Sequence, residues 1–298
     1  MSLHTFKRSD YRDRVDGKYL KDITGYQALM MNIYPNRADS EVYLSDKIDA
    51  TELVKYLERR NAEHPDYKTT VFHAMVAAVA RMIKERPSLN RFIQGRRMYE
   101  RHEISLSFVA KRKFQDGAEE ALIVVTPGDG DTLDSISRLI VGDVTAMRKN
   151  PGEKSGSDAV IDTLAKRPRP LLMFVCWLIR VLDFWGHLPH SIWETDVNYS
   201  TVLLSNLGSI RCPSVYHHLN NYGTNSVLIT VGTLHKEELL MPDGTKQIRD
   251  VIDIGATLDE RIGDGFYFAR SLKLIKHIFA HPELLEQPLG EPSGFDYK

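Results

Sequence analysis

The sequence has little cysteine, no excess of either charge and no long apolar stretch. Its two cysteines among 298 residues are too few for a disulfide scaffold or a zinc cluster. Its 39 Lys and Arg balance its 40 Asp and Glu, so the net charge of −1 argues against a nucleic-acid-binding surface. The apolar run at residues 171–179 is shorter than the about 20 residues that cross a bilayer.

The sequence also lacks the motifs of a metal site and of a signal peptide. No His and Cys residues recur at the spacing of metal ligands, so we predict no metal. The segment from Met1 to Arg8 is polar and charged, and it lacks the apolar stretch of a signal peptide. The sequence therefore predicts a cytoplasmic protein.

What is present is a mixture of strand and helix patterns in one domain. Alternating or β-branched apolar runs predict strands, and apolar residues three and four apart predict helices. Predicted strands lie near 41–48, 104–109, 122–126, 202–208, 226–232 and 251–257. One predicted helix starts after Asp49, a second starts after Thr69 or Thr70, and others lie near 133–140 and 266–280. The mixture predicts one large sheet with packed helices. We expect an N-terminal arm (1–25), one domain (26–285) and a tail (286–298).

An apolar helical insertion is predicted at about 166–190. Residues 171–185 are almost all apolar, with Arg180 and Asp183 near the end, and Lys166-Arg-Pro-Arg precedes them. The segment is too short and too charged to span a bilayer. Two interpretations stay open: a helix buried in the fold or in a subunit interface, or a helix lying on a membrane surface.

The segment from Asp259 to Gly265 carries the most specific motif. Asp-Glu-Arg-Ile-Gly-Asp-Gly resembles the His-x-x-x-Asp-Gly signature of the dihydrolipoyl acyltransferase and chloramphenicol acetyltransferase superfamily, with Glu260 at the histidine position. Three further segments, in the same order, are similar to the catalytic domain of 2-oxo acid dehydrogenase acyltransferases: 69–90, 104–127 and 200–208. The resemblance covers roughly residues 25–285.

The resemblance implies a fold, an assembly and a substrate class. The fold is an α/β two-layer sandwich of the chloramphenicol acetyltransferase type, with a mixed sheet and packed helices. The assembly is a homotrimer with active sites between neighbouring subunits. The substrate is CoA or acyl-CoA, and no cofactor is permanently bound. Upstream of residue 25 there is no room for a lipoyl domain, so any lipoyl group is expected on a separate partner protein.

The resemblance also implies roles for individual residues. In the family a histidine takes a proton from the thiol of CoA or dihydrolipoamide, and a serine hydroxyl stabilises the oxyanion. Ser205 matches that serine, and Glu260 stands where the base is expected. Asp264 matches a loop-bracing aspartate, here predicted to pair with Arg261. Two residues of the Ser205 motif are given supporting roles, Asn206 and Gly208.

Glutamate at position 260 leaves the chemistry open. A reference Glu has a pKa of about 4.3 and a thiol one of about 8.5, so unassisted proton transfer from the thiol is strongly uphill. Burial could raise the Glu260 pKa and support an acyltransferase. Otherwise Glu260 pairs with a cation, and the protein is a catalytically silent module that binds CoA or a partner, or assembles. A third interpretation takes the missing imidazole from His217 or His218.

Overall fold

A computed structural model describes residues 10–64, 66–111, 120–149, 166–193 and 196–297. Its strands are β1 (Gly17–Tyr19), β2 (Glu41–Asp49), β3 (Arg91–Gln94), β4 (Arg97–Arg101), β5 (Leu106–Lys111), β6 (Glu120–Val125), β7 (Val202–Asn206), β8 (Val227–Leu240) and β9 (Lys246–Asp259). Its helices are α1 (Gly25–Ile33), α2 (Thr51–Glu63), α3 (Val71–Glu85), α4 (Leu133–Lys149), α5 (Arg169–Phe184), α6 (His190–Trp193) and α7 (Gly265–Ala280).

The strands form one large mixed sheet and one small antiparallel sheet. The large sheet has the order β2-β9-β8-β7-β5-β6, and the small one has the order β1-β4-β3. β7 runs parallel to both of its neighbours, β5 and β8, and the other pairs are antiparallel. The prediction of one large sheet with packed helices is therefore confirmed.

Helices cover one face of the large sheet and form the core with it. Alternate residues of β7, such as Val202 and Leu204, point into this core because successive side chains of a strand face opposite sides. Met75 of α3 and Leu274 of α7 are buried against the same face. The opposite face of the sheet carries the polar residues of the candidate site.

The chain ends fold back onto the domain. From residue 10 onward the predicted arm is packed, because β1 pairs with β4 and Arg14 is buried. Residues 1–9 lie outside the described residues. In the predicted tail, the carbonyl groups of Gln287 and Glu291 accept hydrogen bonds from the buried Arg81 guanidinium. The predicted domain boundaries at 25 and 285 stay predictions.

Helix α5 is exposed along most of its length. Asp183 is its one buried residue, held by the Arg14 guanidinium at 2.8 Å and by the Gln94 amide at 2.7 Å. The prediction of a helix buried within the fold is therefore wrong for the single chain, and the subunit-interface and membrane-surface alternatives stay predictions. Among the described residues, none of the helices is both long enough and apolar enough to cross a bilayer.

His73 gives the fold a predictable response to pH. It lies in the first turn of α3, where its Nδ1 accepts a hydrogen bond from the Thr70 amide, and burial lowers its pKa to about 4. As the pH falls, His73 is therefore protonated in the unfolded chain at a higher pH than in the folded protein. The free energy of unfolding decreases below about pH 6.5, by about 2 kcal/mol at pH 5.

Urea unfolding at pH 7 and pH 5 measures this effect. His73→Gln is expected to reduce the loss of stability between the two pH values by about 2 kcal/mol. His64→Gln is the matched control, because His64 is exposed at the end of α2. Equal pH dependence in the wild type and His73→Gln would contradict the assignment.

Candidate active site

Ser205 lies on the face of the sheet that points away from the helices. Val202 and Leu204 enter the core, so Leu203 and Ser205 face the other way. The Ser205 side chain is half-buried, and among the described residues its hydroxyl has no hydrogen-bond partner. A hydroxyl in this state is available to donate to a ligand.

A row of cross-strand neighbours extends from Ser205 over the same face. Ser205 pairs with Thr230, and Thr230 pairs with Gly255. The Thr230 hydroxyl donates to the Val215 carbonyl, and a Cβ at Gly255 would lie 2.7 Å from that same oxygen. The 213–222 loop therefore lies directly on the sheet next to Ser205, and glycine allows this close approach.

The other two residues of the serine motif have structural roles. The Asn206 side chain accepts a hydrogen bond from the Ser209 amide at 3.2 Å and caps the short turn after β7. A Cβ at Gly208 would lie 2.7 Å from the Gly232 carbonyl oxygen, so this position needs glycine. Together they set the path of the chain that leaves Ser205.

The 213–222 loop presents two exposed histidines. Their rings stack with centroids 4.7 Å apart, and the His217 Nδ1 lies 2.9 Å from the His218 carbonyl oxygen. On one side of the pair, the Tyr216 ring packs against Tyr43, with centroids 5.3 Å apart. On the other side, the amide of the buried Leu219 donates to a carboxylate oxygen of Glu41. The loop is thus held on both sides of the histidines.

The 259–265 motif contains a buried ion pair that the sequence did not predict. Arg261 donates to both carboxylate oxygens of Asp259, at 2.8 and 2.6 Å, and both side chains are almost completely buried. Ser40 donates a third hydrogen bond to Asp259 at 3.1 Å, and the Tyr34 carbonyl accepts one from Arg261 at 2.6 Å. The pair holds the chain at the end of β9.

The predicted brace between Asp264 and Arg261 is wrong. Asp264 instead caps α7, because its carboxylate accepts a hydrogen bond from the Tyr267 amide at 2.7 Å. Arg261 is already fully engaged with Asp259. The Asp-x-Arg spacing was the available signal, but spacing alone did not say which of the two aspartates the arginine reaches.

Glu260 is exposed between these buried neighbours. Its backbone amide donates to the Ser40 carbonyl at 2.9 Å. Among the described residues, its carboxylate has neither an ion pair nor a hydrogen bond, and the side chain is open to solvent in the single chain. The arrangement provides neither the burial nor the cation that the sequence interpretations invoked.

Arg37 connects the end of β3 to the 213–222 loop and was not found from the sequence. It is buried, and burial lowers its pKa to about 10 despite the nearby Asp259 carboxylate. Its guanidinium donates to the carbonyl oxygens of Ile93 at 2.8 Å and Asn220 at 3.4 Å. No local pattern marks an isolated arginine as the link between segments so far apart in sequence.

Ser205 and Glu260 do not share a site within one chain. Gly255 lies two strands from Ser205, and Glu260 follows Gly255 by five residues. With about 4.8 Å between strands and about 3.3 Å per residue, the two Cα atoms are roughly 20 Å apart. The segment that carries His217 reaches the same end of the sheet as Glu260, because Leu219 contacts Glu41, which pairs with Asp259. A second copy of the chain is needed to bring the two groups together.

Two cavities of the described residues lie away from the candidate site. An apolar cavity of about 50 Å³ lies between α7 and the sheet, and a polar cleft of about 380 Å³ adjoins the end of α3. Neither is lined by Ser205, His217 or Glu260. Within the described ranges, no group of three or more His, Cys, Asp or Glu side chains could hold a metal ion.

Comparison with known proteins identifies the architecture. Residues 34–116 match the family described as 2-oxoacid dehydrogenases acyltransferase (catalytic domain). The chain is 23% identical over 240 residues to the lipoamide acyltransferase component of the branched-chain alpha-keto acid dehydrogenase complex of Bacillus subtilis. That alignment covers 78% of this chain and 45% of the relative, so the chain spans less than half of the relative's length.

Solved structures decide the fold. A probable dihydrolipoamide acetyltransferase from Listeria monocytogenes 4b F2365 matches with a TM-score of 0.58 at 18% identity, over 95% of this chain and 99% of that one. The chain has the dihydrolipoyl acyltransferase fold. A chloramphenicol acetyltransferase matches with a TM-score of 0.54 at 13% identity, over 88% of this chain and 99% of that one. The predicted chloramphenicol acetyltransferase-like sandwich is therefore confirmed.

The candidate residues can now be located within the dihydrolipoyl acyltransferase fold. The predicted resemblance to the 2-oxo acid dehydrogenase acyltransferase catalytic domain is confirmed by the matched family and the relative. Within this acyltransferase fold, Ser205 and the 213–222 loop share one face, and Glu260 lies at the end of β9. The roles of these residues stay predictions.

Proposed function

We propose that the protein is an acyltransferase of the 2-oxo acid dehydrogenase type, which moves an acyl group between a CoA thioester and an acceptor. The observation that carries the proposal is the unpaired Ser205 hydroxyl on the open face of an acyltransferase fold. A hydroxyl donor of this kind stabilises the oxyanion that forms when a thiolate attacks the acyl carbonyl. Ser205 is the proposed oxyanion donor.

The proposed active site is completed by a second copy of the chain. Ser205 is roughly 20 Å from Glu260, which follows the end of β9. A base on one subunit must therefore face Ser205 of another, and this supports the proposed homotrimer. CoA or acyl-CoA is the proposed substrate, with no permanently bound cofactor. A lipoyl group on a separate protein is a proposed acceptor.

The exposed Glu260 favours one alternative function, that of a catalytically silent relative. A solvated carboxylate is a poor acceptor of a thiol proton, and the resemblance of the 259–265 segment to the family's signature implies that Glu260 occupies the histidine position. If no other group serves as the base, the protein is a catalytically silent relative that binds CoA or a partner, or assembles.

One assay separates the two functions. The purified protein is mixed with acetyl-CoA and thiol, amine or hydroxyl acceptors, dihydrolipoamide included, and the release of free CoA thiol is followed. Turnover with at least one acceptor, above the rate without protein, is the expected result. CoA binding in a calorimeter without turnover on any acceptor would contradict acyl transfer and favour the silent module.

A further inference from the structure

We infer that His217 is the general base of the proposed acyl transfer; this inference rests on the function proposed above. The His217 Nδ1 lies 2.9 Å from the His218 carbonyl oxygen. A carbonyl oxygen only accepts hydrogen bonds, so in the neutral form of the ring the hydrogen is on Nδ1. The Nε2 atom then keeps its lone pair and is ready to take a proton.

The fold holds His217 in place without using its ring as structural support. Tyr216 is packed on Tyr43, and the buried Leu219 is tied to Glu41, so both ends of the short segment are anchored. Between them His217 and His218 are exposed. Among the described residues, neither ring forms a hydrogen bond to another element of the fold. A structural histidine would show such a bond, so the arrangement fits a group that acts on a ligand.

His217 also lies at the end of the sheet where the base is needed. Its anchor Glu41 is paired in β2 with Asp259, the residue before Glu260. The segment that carries the imidazole thus reaches the same end of the sheet as the exposed carboxylate, several strands away from Ser205. An imidazole matches a thiol proton better than a solvated carboxylate does.

The proposed step balances without a redox partner. Nε2 of His217 takes the proton of the attacking thiol, and the thiolate sulfur forms a bond to the acyl carbonyl carbon. The resulting oxyanion accepts a hydrogen bond from Ser205 of another subunit. The intermediate then collapses, the original C–S bond breaks, and the departing thiolate recovers the proton from His217.

Substitution of His217 tests the inference. With acetyl-CoA and dihydrolipoamide, His217→Gln is expected to lower kcat by about 10²–10⁴-fold. The exposed His64→Gln is the matched control and is expected to retain wild-type kcat. Because His217 is exposed, circular dichroism and oligomeric state should be unchanged.

The possible outcomes separate a wrong assignment of the base from a wrong proposed function. Glu260→His in the His217→Gln background is expected to recover part of kcat, because it returns an imidazole to this region. Turnover that survives His217→Gln but is lost in Glu260→Gln would overturn the inference and leave the acyltransferase intact. Absence of turnover in the wild type on every acceptor would overturn the function and the base together.

A second, independent observation concerns the exposed surface of α5. Its outward residues are apolar and include Trp177 at 57% exposure, with Trp185 next to the helix end at 62%. The other strongly exposed apolar side chains are Met173, Phe174 and Leu171. Trp and other large apolar residues of this kind are enriched where proteins contact the membrane interface.

The charges around α5 indicate what covers it. Lys166, Arg167, Arg169 and Arg180 are all exposed. The one acidic residue from 166 to 185 is Asp183, which is buried and paired with Arg14. Within 166–185 the exposed charges are therefore all basic, and beside the apolar side chains of α5 they complement a bilayer that contains anionic lipid. We propose that α5 lies on an anionic membrane surface.

Vesicle sedimentation tests this proposal. Binding to phosphatidylcholine vesicles that contain phosphatidylglycerol is expected to be at least about tenfold tighter than to phosphatidylcholine alone, with a blue shift of Trp emission. Trp177→Ser with Phe174→Ser should abolish binding. Ile248→Ser, an equally exposed apolar residue on β9, should not. Equal binding to both kinds of vesicle would overturn the proposal. So would a protein that binds neither kind of vesicle and instead self-associates through a contact that Trp177→Ser removes.

Discussion

Replacing Arg261 with methionine is expected to lower the free energy of unfolding by about 3–5 kcal/mol. The substitution leaves the Asp259 carboxylate buried without its counter-ion, and the side chain of Asp259 is 0% exposed. It also removes the hydrogen bond from Arg261 to the Tyr34 carbonyl. The end of β9 and the segment around Tyr34 would lose their connection together.

Urea unfolding measures this change against an exposed pair. Lys236→Met removes the ion pair between Lys236 and Asp250, in which the lysine is 69% exposed, and is expected to cost less than about 1 kcal/mol. The double variant Asp259→Asn with Arg261→Met should lose less stability than the sum of the two single variants. In the double variant no buried charge is left without its partner. A loss in Arg261→Met no larger than in Lys236→Met would contradict the buried-pair assignment.

Replacing Ser205 with alanine is expected to lower kcat for acyl transfer by about 10²–10³-fold. The hydroxyl has no hydrogen-bond partner among the described residues, so its removal leaves no group of the fold unsatisfied. The free energy of unfolding should therefore change by less than about 0.5 kcal/mol. Loss of rate without loss of stability is the signature of a group that acts on the transition state.

Ser209→Ala is the matched control for this experiment. Ser209 lies four residues further on, is exposed, and donates its hydroxyl to the Asn206 carbonyl at 2.8 Å. It is expected to retain kcat within about twofold and to cost about 1 kcal/mol or less of stability. A Ser205→Ala protein with wild-type kcat, measured on the same acceptor, would contradict the oxyanion role.

The regular elements were predictable because their signals are local. Alternation in 41–48 and the β-branched runs near 226–232 and 251–257 correspond to β2, β8 and β9. Thr69 or Thr70 was predicted to start a helix, and the Thr70 hydroxyl caps α3 by accepting a hydrogen bond from the His73 amide at 3.3 Å. The order of the motifs was also sufficient to indicate the acyltransferase fold, which the solved structures confirm.

The candidate site was predictable in its residues and not in its contacts. Ser205 and the 259–265 motif were found because short motifs carry them. The partner of Arg261 was assigned wrongly, since Asp259 and Asp264 lie at similar sequence distances and the turn between them decides which one is reached. Hydrophobicity alone predicted burial of α5, although that helix has few neighbours to pack against.

The sequence by itself determined the architecture of this protein, because strand and helix periodicity and the ordered motifs are properties of neighbouring residues. Tertiary structure alone decided which distant groups meet. The sheet register sets Ser205 roughly 20 Å from Glu260, and the contact of Leu219 with Glu41 ties the 213–222 loop to the strand that pairs with Asp259. Such pairings join residues far apart in the sequence, such as Glu41 with Asp259 and Tyr34 with Arg261, and their geometry depends on the packing of the whole domain.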